Sequence, residues 1–348
     1  AVLYLHTWYE AVGPLSDSLS ALLGFQLPYG GNYWAHDAAD WTGVSSTPAA
    51  SQMDCRGERL STLLGHLEKQ DYQLDWSQCT DIYDCKAVAH LVPEFYQGAE
   101  LVRSLVANLE RTGQDPFELS SDFDLEKMAV LLGDKYRETV SYPMQKGVTP
   151  DSELLAALYA DHAALVTRRI NPAQPDLGTF SPTIRDDYPT VSTTHSVSTR
   201  TVDFVTSARV YALPGRTVTV TRRDSSDAPL AVFVNDLRDG TSHIFGDELY
   251  ARPAFLRGNA IALTRGQPLY LTSPYGGILF LDVGVGSSLS DVAVDFAGVA
   301  QHPVYDGPGT EDSFKEALSH SELGWAELLT PALEIHSRMD LMKETVAG

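Results

Sequence analysis

The spacing of apolar residues changes along this chain of 348 residues, and that change restricts the folds open to it. From Asp122 to about residue 170 apolar side chains recur at helical spacing, as they also do over residues 93–111. Beyond residue 196 short stretches such as residues 217–221 alternate apolar and polar side chains, which is typical of strands. Helices followed by many short strands predict a multidomain α+β protein.

The first 115 residues alternate predicted strands and helices. Apolar stretches at residues 2–5 and 72–76 are typical of strands, whereas residues 59–69 and 93–111 have helical spacing. This alternation predicts a small N-terminal α/β domain over residues 1–115.

A helical module is predicted over residues 116–175. Its first helix, capped by Asp122 or Asp124, presents an apolar face formed by Leu125, Met128, Leu131 and Leu132. A second helix begins at Thr149-Pro150-Asp151, where a proline suits the first turn, and its apolar face continues to Val166.

Residues 176–195 are rich in Pro, Ser and Thr and are predicted to be a linker. The strands and glycine-rich turns of residues 196–300 predict an antiparallel β-sandwich. In the tail, residues 301–348, we expect a helix over residues 311–319 and helix again from Trp325.

The net charge of −21 excludes some classes of partner. So acidic a chain repels phosphate backbones, and its densest basic runs are only pairs, Arg168-Arg169 and Arg222-Arg223. No apolar stretch approaches the roughly 20 residues that span a bilayer. We therefore expect no nucleic-acid partner and no membrane span, and the acidity fits a secreted or a periplasmic protein.

The chain contains three cysteines. A disulfide between Cys79 and Cys85 is sterically plausible and would leave Cys55 free or paired elsewhere. Buried thiols are the alternative, because a zinc site needs closer spacing and a second pair of ligands.

The usual catalytic motifs are missing from the sequence. It has no His-Glu-x-x-His for zinc, no Gly-x-Ser-x-Gly elbow and no phosphate-binding loop. We accordingly assign no catalytic and no metal-binding residue in this chain. His336, beside Glu334, is one potential ligand without visible partners.

Five residues are candidates for substrate binding. Tyr33 and Trp34 lie in a glycine-rich aromatic loop that could stack on sugar rings, and loop packing is the alternative. Asn235 and Arg238 could bind a polar ligand at the edge of the sandwich, or be solvated at the surface. Tyr275 lies in a Ser-Pro-Tyr-Gly-Gly segment that is most simply a turn.

Several segments resemble one known family when taken in order. They are residues 2–9, 32–34, 132–137, 177–182, 210–222, 232–238 and 271–277. This series resembles the bacterial immunomodulating metalloproteases (ImpA-like), which are enhancin-like zinc metallopeptidases. The resemblance covers nearly the whole chain.

The resemblance implies a secreted bacterial zinc enzyme that cuts O-glycosylated, mucin-type proteins. In that family the His-Glu-x-x-His helix follows the sandwich, and here residues 325–331 look like the approach to that catalytic core. We therefore expect the chain to be the N-terminal, non-catalytic portion, with zinc held by a missing C-terminal catalytic portion. A stand-alone glycan-binding or adhesion module without protease activity is the alternative.

Overall fold

A computed structural model describes residues 62–71, 73–78, 93–119, 123–145, 147–197, 205–235, 249–283, 292–330 and 333–347. The helices are α1 (residues 62–69), α2 (Pro93–Arg111), α3 (Asp124–Arg137), α4 (Asp151–His162), α5 (Glu311–His320) and α6 (Met339–Ala347). Short 3₁₀ turns occupy Trp76–Gln78 and Pro116–Glu118.

The strands follow in this order: β1 (Met144–Gln145), β2 (Val191–Val197), β3 (Val205–Ala212), β4 (Val218–Arg222), β5 (Ala231–Val234), β6 (Leu249–Tyr250), β7 (Ile261–Ala262), β8 (Pro268–Leu271), β9 (Gly277–Asp282), β10 (Val292–Val299), β11 (Val304–Asp306), β12 (Trp325–Thr330) and β13 (Leu333–Arg338).

Helices α1 to α4 share one apolar core. The observed bounds of α2 are those predicted. One face of this helix is apolar, because its buried residues recur at helical spacing: Phe95, Ala99, Val102, Val106 and Leu109. The same core takes in Leu63 and Leu67 of α1 and Leu154 and Leu158 of α4. This helical core therefore extends across the boundary predicted at residue 115. Within the described part of residues 1–115 the structure has helices and no strand.

The predicted face of α3 is only partly correct, because Leu132 packs against the helical core whereas Met128 and Leu131 do not. Met128 is 63% exposed and Leu131 50% exposed, while Ala129 and Val130 are buried. The helix turns this other face inward because Gly133 packs against Ala163 of the α4 end, where a Cβ at Gly133 would lie 2.5 Å from the Ala163 Cβ.

Helix α4 ends at His162, although the apolar pattern continues to Val166. The chain leaves the helix because its backbone finds other partners. The Val166 amide donates to Glu110 Oε1 at 2.9 Å, and the Val166 carbonyl accepts from the Thr272 amide at 2.8 Å. Residues 163–168 are thereby buried between the helices and the strands.

Two four-stranded antiparallel sheets follow the helices. Their strand orders are β2-β10-β4-β8 and β3-β9-β5-β7. One apolar cluster takes residues from both sheets, including Val220 and Val294 of the first and Val232 and Leu279 of the second. Strand β2 begins at Val191, inside the stretch predicted to be a linker, and it pairs with β10 over its whole length.

A three-stranded sheet, β11-β12-β13, completes the described chain together with α5 and α6. Residues from Trp325 form strand β12 and not the predicted helix, because β12 pairs in parallel with β11 and antiparallel with β13. Tertiary pairing here outweighs a local preference for helix. The molecule is thus a mixture of helices and mainly antiparallel sheets.

Candidate functional site

Asn235 holds a turn in place. Its side-chain amide donates to the Leu256 carbonyl at 3.1 Å and to the Gly276 carbonyl at 2.9 Å. The residue is only 4% exposed, and a Cβ at Gly277 would lie 1.8 Å from its Oδ1, so only glycine fits beside it. Both amide donors of Asn235 are used inside the protein, so the structure supports a structural role for this residue and not the predicted role in ligand binding.

Tyr275 is also internal. It is 2% exposed, and its hydroxyl donates to Asp161 Oδ1 at 3.0 Å. The Arg137 guanidinium lies 5.9 Å from the centre of its ring. A buried phenol with these partners does not present a face to a sugar, so Tyr275 too serves the interior of the molecule.

The other predicted site residues lie outside the described part of the chain. These are Tyr33, Trp34, Arg238 and the two cysteines of the predicted disulfide, Cys79 and Cys85.

Asp161 joins the helices to the strands. From the end of α4 it accepts hydrogen bonds from the Tyr250 hydroxyl of β6, the Ala254 amide at 2.8 Å and Tyr275. Burial raises the pKa of its carboxyl to about 6, although the hydrogen bonds from Ala254 and Tyr275 act in the opposite direction.

The strongest cluster of ionisable groups surrounds Glu327, and we treat it as the candidate functional site. One oxygen of this fully buried carboxyl lies 2.7 Å from His302 Nε2 and the other 2.6 Å from His336 Nδ1. The Ser207 hydroxyl donates to the same carboxyl at 2.7 Å. Glu334 adds a second carboxyl, 3.6 Å from His336 Nε2.

Strand register assembles this Glu327 cluster. Glu327 on β12 and His336 on β13 are directly paired, whereas His302 comes from the turn after β10 and Ser207 from β3. The Glu334 carboxyl accepts from the Thr206 hydroxyl at 2.6 Å and from the Ser207 amide at 3.1 Å. The cluster therefore fastens the C-terminal sheet to β3.

Two histidines keep Glu327 charged. Burial alone would raise the pKa of this carboxyl, but the charges of His302 and His336 and their hydrogen bonds outweigh it and hold the pKa well below its ordinary value. His302 Nδ1 is buried and has no hydrogen-bond partner. The sequence pointed to His336 and Glu334 but missed Glu327 and His302, since nothing in their spacing brings them together.

The Glu327 cluster does not fit a zinc site. The nitrogens of His302 and His336 that face the carboxyl are already engaged with it. Across the residues that the structure describes, no group of three or more His, Cys, Asp or Glu could hold a metal ion. We therefore derive no chemistry through a metal at this position.

None of the described helices combines the length and the apolar character needed to cross a membrane.

A family model and a curated relative both show sequence similarity between this chain and the same group of proteins. Residues 61–169 match the family model of the immunomodulating metalloprotease helical domain. The immunomodulating metalloprotease of Pseudomonas aeruginosa is 27% identical over 362 aligned positions, which cover 99% of this chain and 38% of that protein. The chain thus spans well under half the length of this relative.

Solved structures agree on the fold. The IMPa metallopeptidase from Pseudomonas aeruginosa superposes with a TM-score of 0.75 at 24% identity, covering 82% of this chain and 33% of that one. The same figures apply to that metallopeptidase in complex with T-antigen. IMPa in complex with an O-glycopeptide has a TM-score of 0.74 at 23% identity, covering 90% and 36%. The chain is therefore similar to the immunomodulating metalloproteases in fold and, along almost its whole length, in sequence, and residues 61–169 match the model of their helical domain.

Proposed function

We propose that this chain supplies the non-catalytic, N-terminal part of a secreted bacterial zinc metallopeptidase that cleaves O-glycosylated, mucin-type proteins. The observation that carries the proposal is the 27% identity to a metalloprotease over 99% of the chain. The sequence contains no His-Glu-x-x-His motif, and the aligned part is 38% of that relative. Glycoproteins are proposed as substrates because the structural neighbours include complexes with T-antigen and with an O-glycopeptide.

The arrangement we propose for this part is a helical domain, a β-sandwich made of the two four-stranded sheets, and the beginning of the peptidase core from residue 301. The shared apolar cluster of the two sheets supports the sandwich. Zinc in the catalytic portion would supply a bound water of lowered pKa for attack on the peptide bond. In this chain the Glu327 cluster would fix the start of the core against β3. Tyr33, Trp34 and Arg238 remain predicted substrate contacts, and Cys79–Cys85 remains a predicted disulfide.

The test compares two proteins. The purified 38.0 kDa chain, supplied with zinc, should neither retain stoichiometric zinc nor cleave a mucin-type glycoprotein. The protein isolated from its native source should have a larger intact mass and should cleave the same glycoprotein, but not after enzymatic removal of its O-glycans. Zinc-dependent cleavage by the 38.0 kDa chain alone would overturn the non-catalytic assignment. Glycan binding by a native protein of 38.0 kDa without cleavage would favour the stand-alone module instead.

A further inference from the structure

The Glu327 cluster places two carboxylates beside two histidines. Glu327 is fully buried, and the Glu334 side chain is 24% exposed. Among the residues that the structure describes, neither carboxylate forms an ion pair with a lysine or an arginine. Carboxylates withdrawn from water are costly unless a charge or hydrogen bonds compensate them, so the histidines of the cluster are the groups that can supply a positive charge.

His336 lies between the two carboxylates. Its Nδ1 is 2.6 Å from Glu327 Oε1, and its Nε2 is 3.6 Å from Glu334 Oε2. A neutral imidazole has one N–H and can donate to only one of the two, so its other nitrogen turns a lone pair toward a carboxylate. A protonated imidazole has two N–H groups and can direct one at each. This geometry favours the charged form of His336.

His302 contacts the same carboxyl in a different way. Its Nε2 lies 2.7 Å from Glu327, but its Nδ1 is buried and has no hydrogen-bond partner. A second proton on this ring would leave a buried N–H unpaired, which is unfavourable. The His336 side chain is 14% exposed, whereas that of His302 is inaccessible to solvent. Of the two histidines, His336 is therefore the one placed to exchange a proton with water.

Strands β9 and β13 also pack around His336. On β9 the Phe280 ring lies edge-on to the imidazole, with 5.0 Å between the ring centres. Asp282, two residues further along β9, is an acidic group on the same face of that strand. On β13 Arg338 pairs with Asp340. The acid on β9 adds to the attraction for a proton, and the arginine on β13 is compensated by its own partner.

The third histidine near the cluster is His195 on β2. Burial, and after it the charge of Arg209 on β3, lower the pKa of His195 to about 4, although Asp306 and Glu327 act in the opposite direction. Arg209 is paired with Asp306 of β11. His195 is therefore neutral near pH 7 and is not the group that titrates there.

We propose that His336 is a pH-dependent latch between the C-terminal sheet and β3. When protonated it binds Glu327 and Glu334, the two carboxylates that accept hydrogen bonds from Ser207 and Thr206 of β3. When the proton leaves at higher pH, the two carboxylates repel each other without a cation between them, and the attachment of the sheet to β3 weakens. The latch rests on this geometry alone. Its meaning for a peptidase rests on the proposed function, in which β12 and β13 lie at the start of the peptidase core.

NMR titration of the histidine ring signals in the whole chain tests the latch. The signal of His336 is the one that disappears in His336→Gln. We expect its midpoint to lie above the ordinary histidine value of about 6.5, and to fall by about one unit or more in Glu334→Gln. This variant removes the charge but keeps an oxygen for Thr206 and Ser207.

Glu322→Gln is the matched control for Glu334→Gln. It makes the same change at a carboxylate that is 53% exposed and pairs with Arg185. The midpoint of the His336 titration should stay where it is in the parent.

Hydrogen exchange measures the attachment itself. Protection factors, corrected for the intrinsic exchange rate, are compared at pH 6.0 and pH 8.5. In the parent the amides of β12 and β13 should lose about tenfold in protection at the higher pH, since a difference of one titration unit is a tenfold change in an equilibrium constant. His336→Gln can still donate one hydrogen bond but cannot be protonated, so this loss should be absent. His320→Gln, at an exposed histidine of α5, should behave as the parent does.

The latch is overturned if His336 titrates at or below the ordinary value, if Glu334→Gln leaves its midpoint in place, or if β12 and β13 lose protection equally in the parent and in His336→Gln. Should His336→Gln fail to fold, the titrations of the parent and of Glu334→Gln still decide the matter. None of these results bears on the proposed protease function, because cleavage by the native protein is measured separately. Absence of cleavage with the latch confirmed would contradict the protease function alone.

Discussion

At the scale of single residues, the most informative side chain is Glu327. A carboxylate removed from water is expensive unless charged or hydrogen-bonding partners surround it. Glu327 has two histidines and a serine, contributed by three separate segments of the chain. Its charge therefore ties the C-terminal sheet to the sheet that contains β3.

Replacing this carboxylate should destabilise the fold. Glu327→Gln keeps the shape but leaves His302 and His336 facing an uncharged amide, so we expect a loss of about 2–4 kcal/mol in the free energy of unfolding. Urea denaturation near pH 7 measures it. The control is Glu322→Gln, which removes a carboxylate that is 53% exposed and pairs with Arg185 at 3.2 Å; it should change stability by less than about 0.5 kcal/mol.

The loss in Glu327→Gln should also depend on pH. The folded pKa of Glu327 lies below its value of 4.5 in an unfolded chain, so the carboxylate stabilises the fold above pH 4.5. This contribution disappears as the pH falls toward the folded pKa. A loss that stays constant between pH 7 and pH 3 would contradict the assignment.

At the scale of elements, helix α3 is decided by close packing. Its most apolar surface residues, Met128 and Leu131, face outward, while Gly133 and the buried Asp134 and Arg137 face inward. Arg137 donates to Asp134 at 2.6 Å and to the Ala160 carbonyl at 2.7 Å. The face that permits close approach and satisfies these charges is therefore the one that packs.

One substitution at two helical glycines should have opposite effects. Alanine favours a helix over glycine by about 1 kcal/mol, and at Gly65 of α1 nothing lies within 4 Å of the added Cβ, so Gly65→Ala should stabilise by about that amount. At Gly133 the added Cβ would meet the Ala163 Cβ at 2.5 Å, so Gly133→Ala should destabilise by about 1–3 kcal/mol. Thermal and urea unfolding of both variants measures the difference. If both substitutions changed the free energy of unfolding in the same direction, this packing would be ruled out.

At the scale of the whole molecule, buried polar groups join the helices to the strands. Asp161 accepts from β6 and from the turn before β9, and Asn171 donates to the carbonyls of Leu165 and Thr272, each at 2.6 Å. Glu110 on α2 accepts from Val166 and Asn259. Burial raises the pKa of Glu110 as well as that of Asp161.

Ionisation of Asp161, whose carboxyl joins the helices to the strands, should make the fold less stable at high pH. Its folded pKa of about 6 exceeds the value of 3.8 in an unfolded chain, so the folded state binds the proton more tightly. The cost of ionising it is absent below pH 3.8, grows as the pH rises and is complete above pH 6. Relative to Asp161→Asn, which cannot ionise, the parent should lose about 1 kcal/mol between pH 5.0 and pH 7.5.

Urea denaturation at both pH values measures this difference. Asp187→Asn is the control, because that carboxylate is 81% exposed and its removal should leave the pH dependence unchanged. Parallel pH profiles for the parent and Asp161→Asn would show that Asp161 ionises as an exposed acid does.

Local sequence patterns determined much of the architecture. The bounds of α2 and the helix near residues 311–320 follow from helical periodicity, because one face of each helix is buried. The strands near residues 218–222, 231–234 and 277–282 follow from short alternating or apolar runs between turn residues. The order of short motifs also carried the likeness to the immunomodulating metalloproteases.

Only the tertiary structure decided which polar residues meet. Packing between segments determines which face of α3 lies inside and places the residues from Trp325 in a strand. It also buries Asn235 and Tyr275, which the sequence suggested as binding residues. It also brought together His302, Ser207 and Glu327, which lie up to 120 positions apart. The physical reason is that the local pattern of apolar residues indicates which side of a helix or strand is buried. The partners of a buried charge depend instead on strand register and on packing between segments that are distant in sequence.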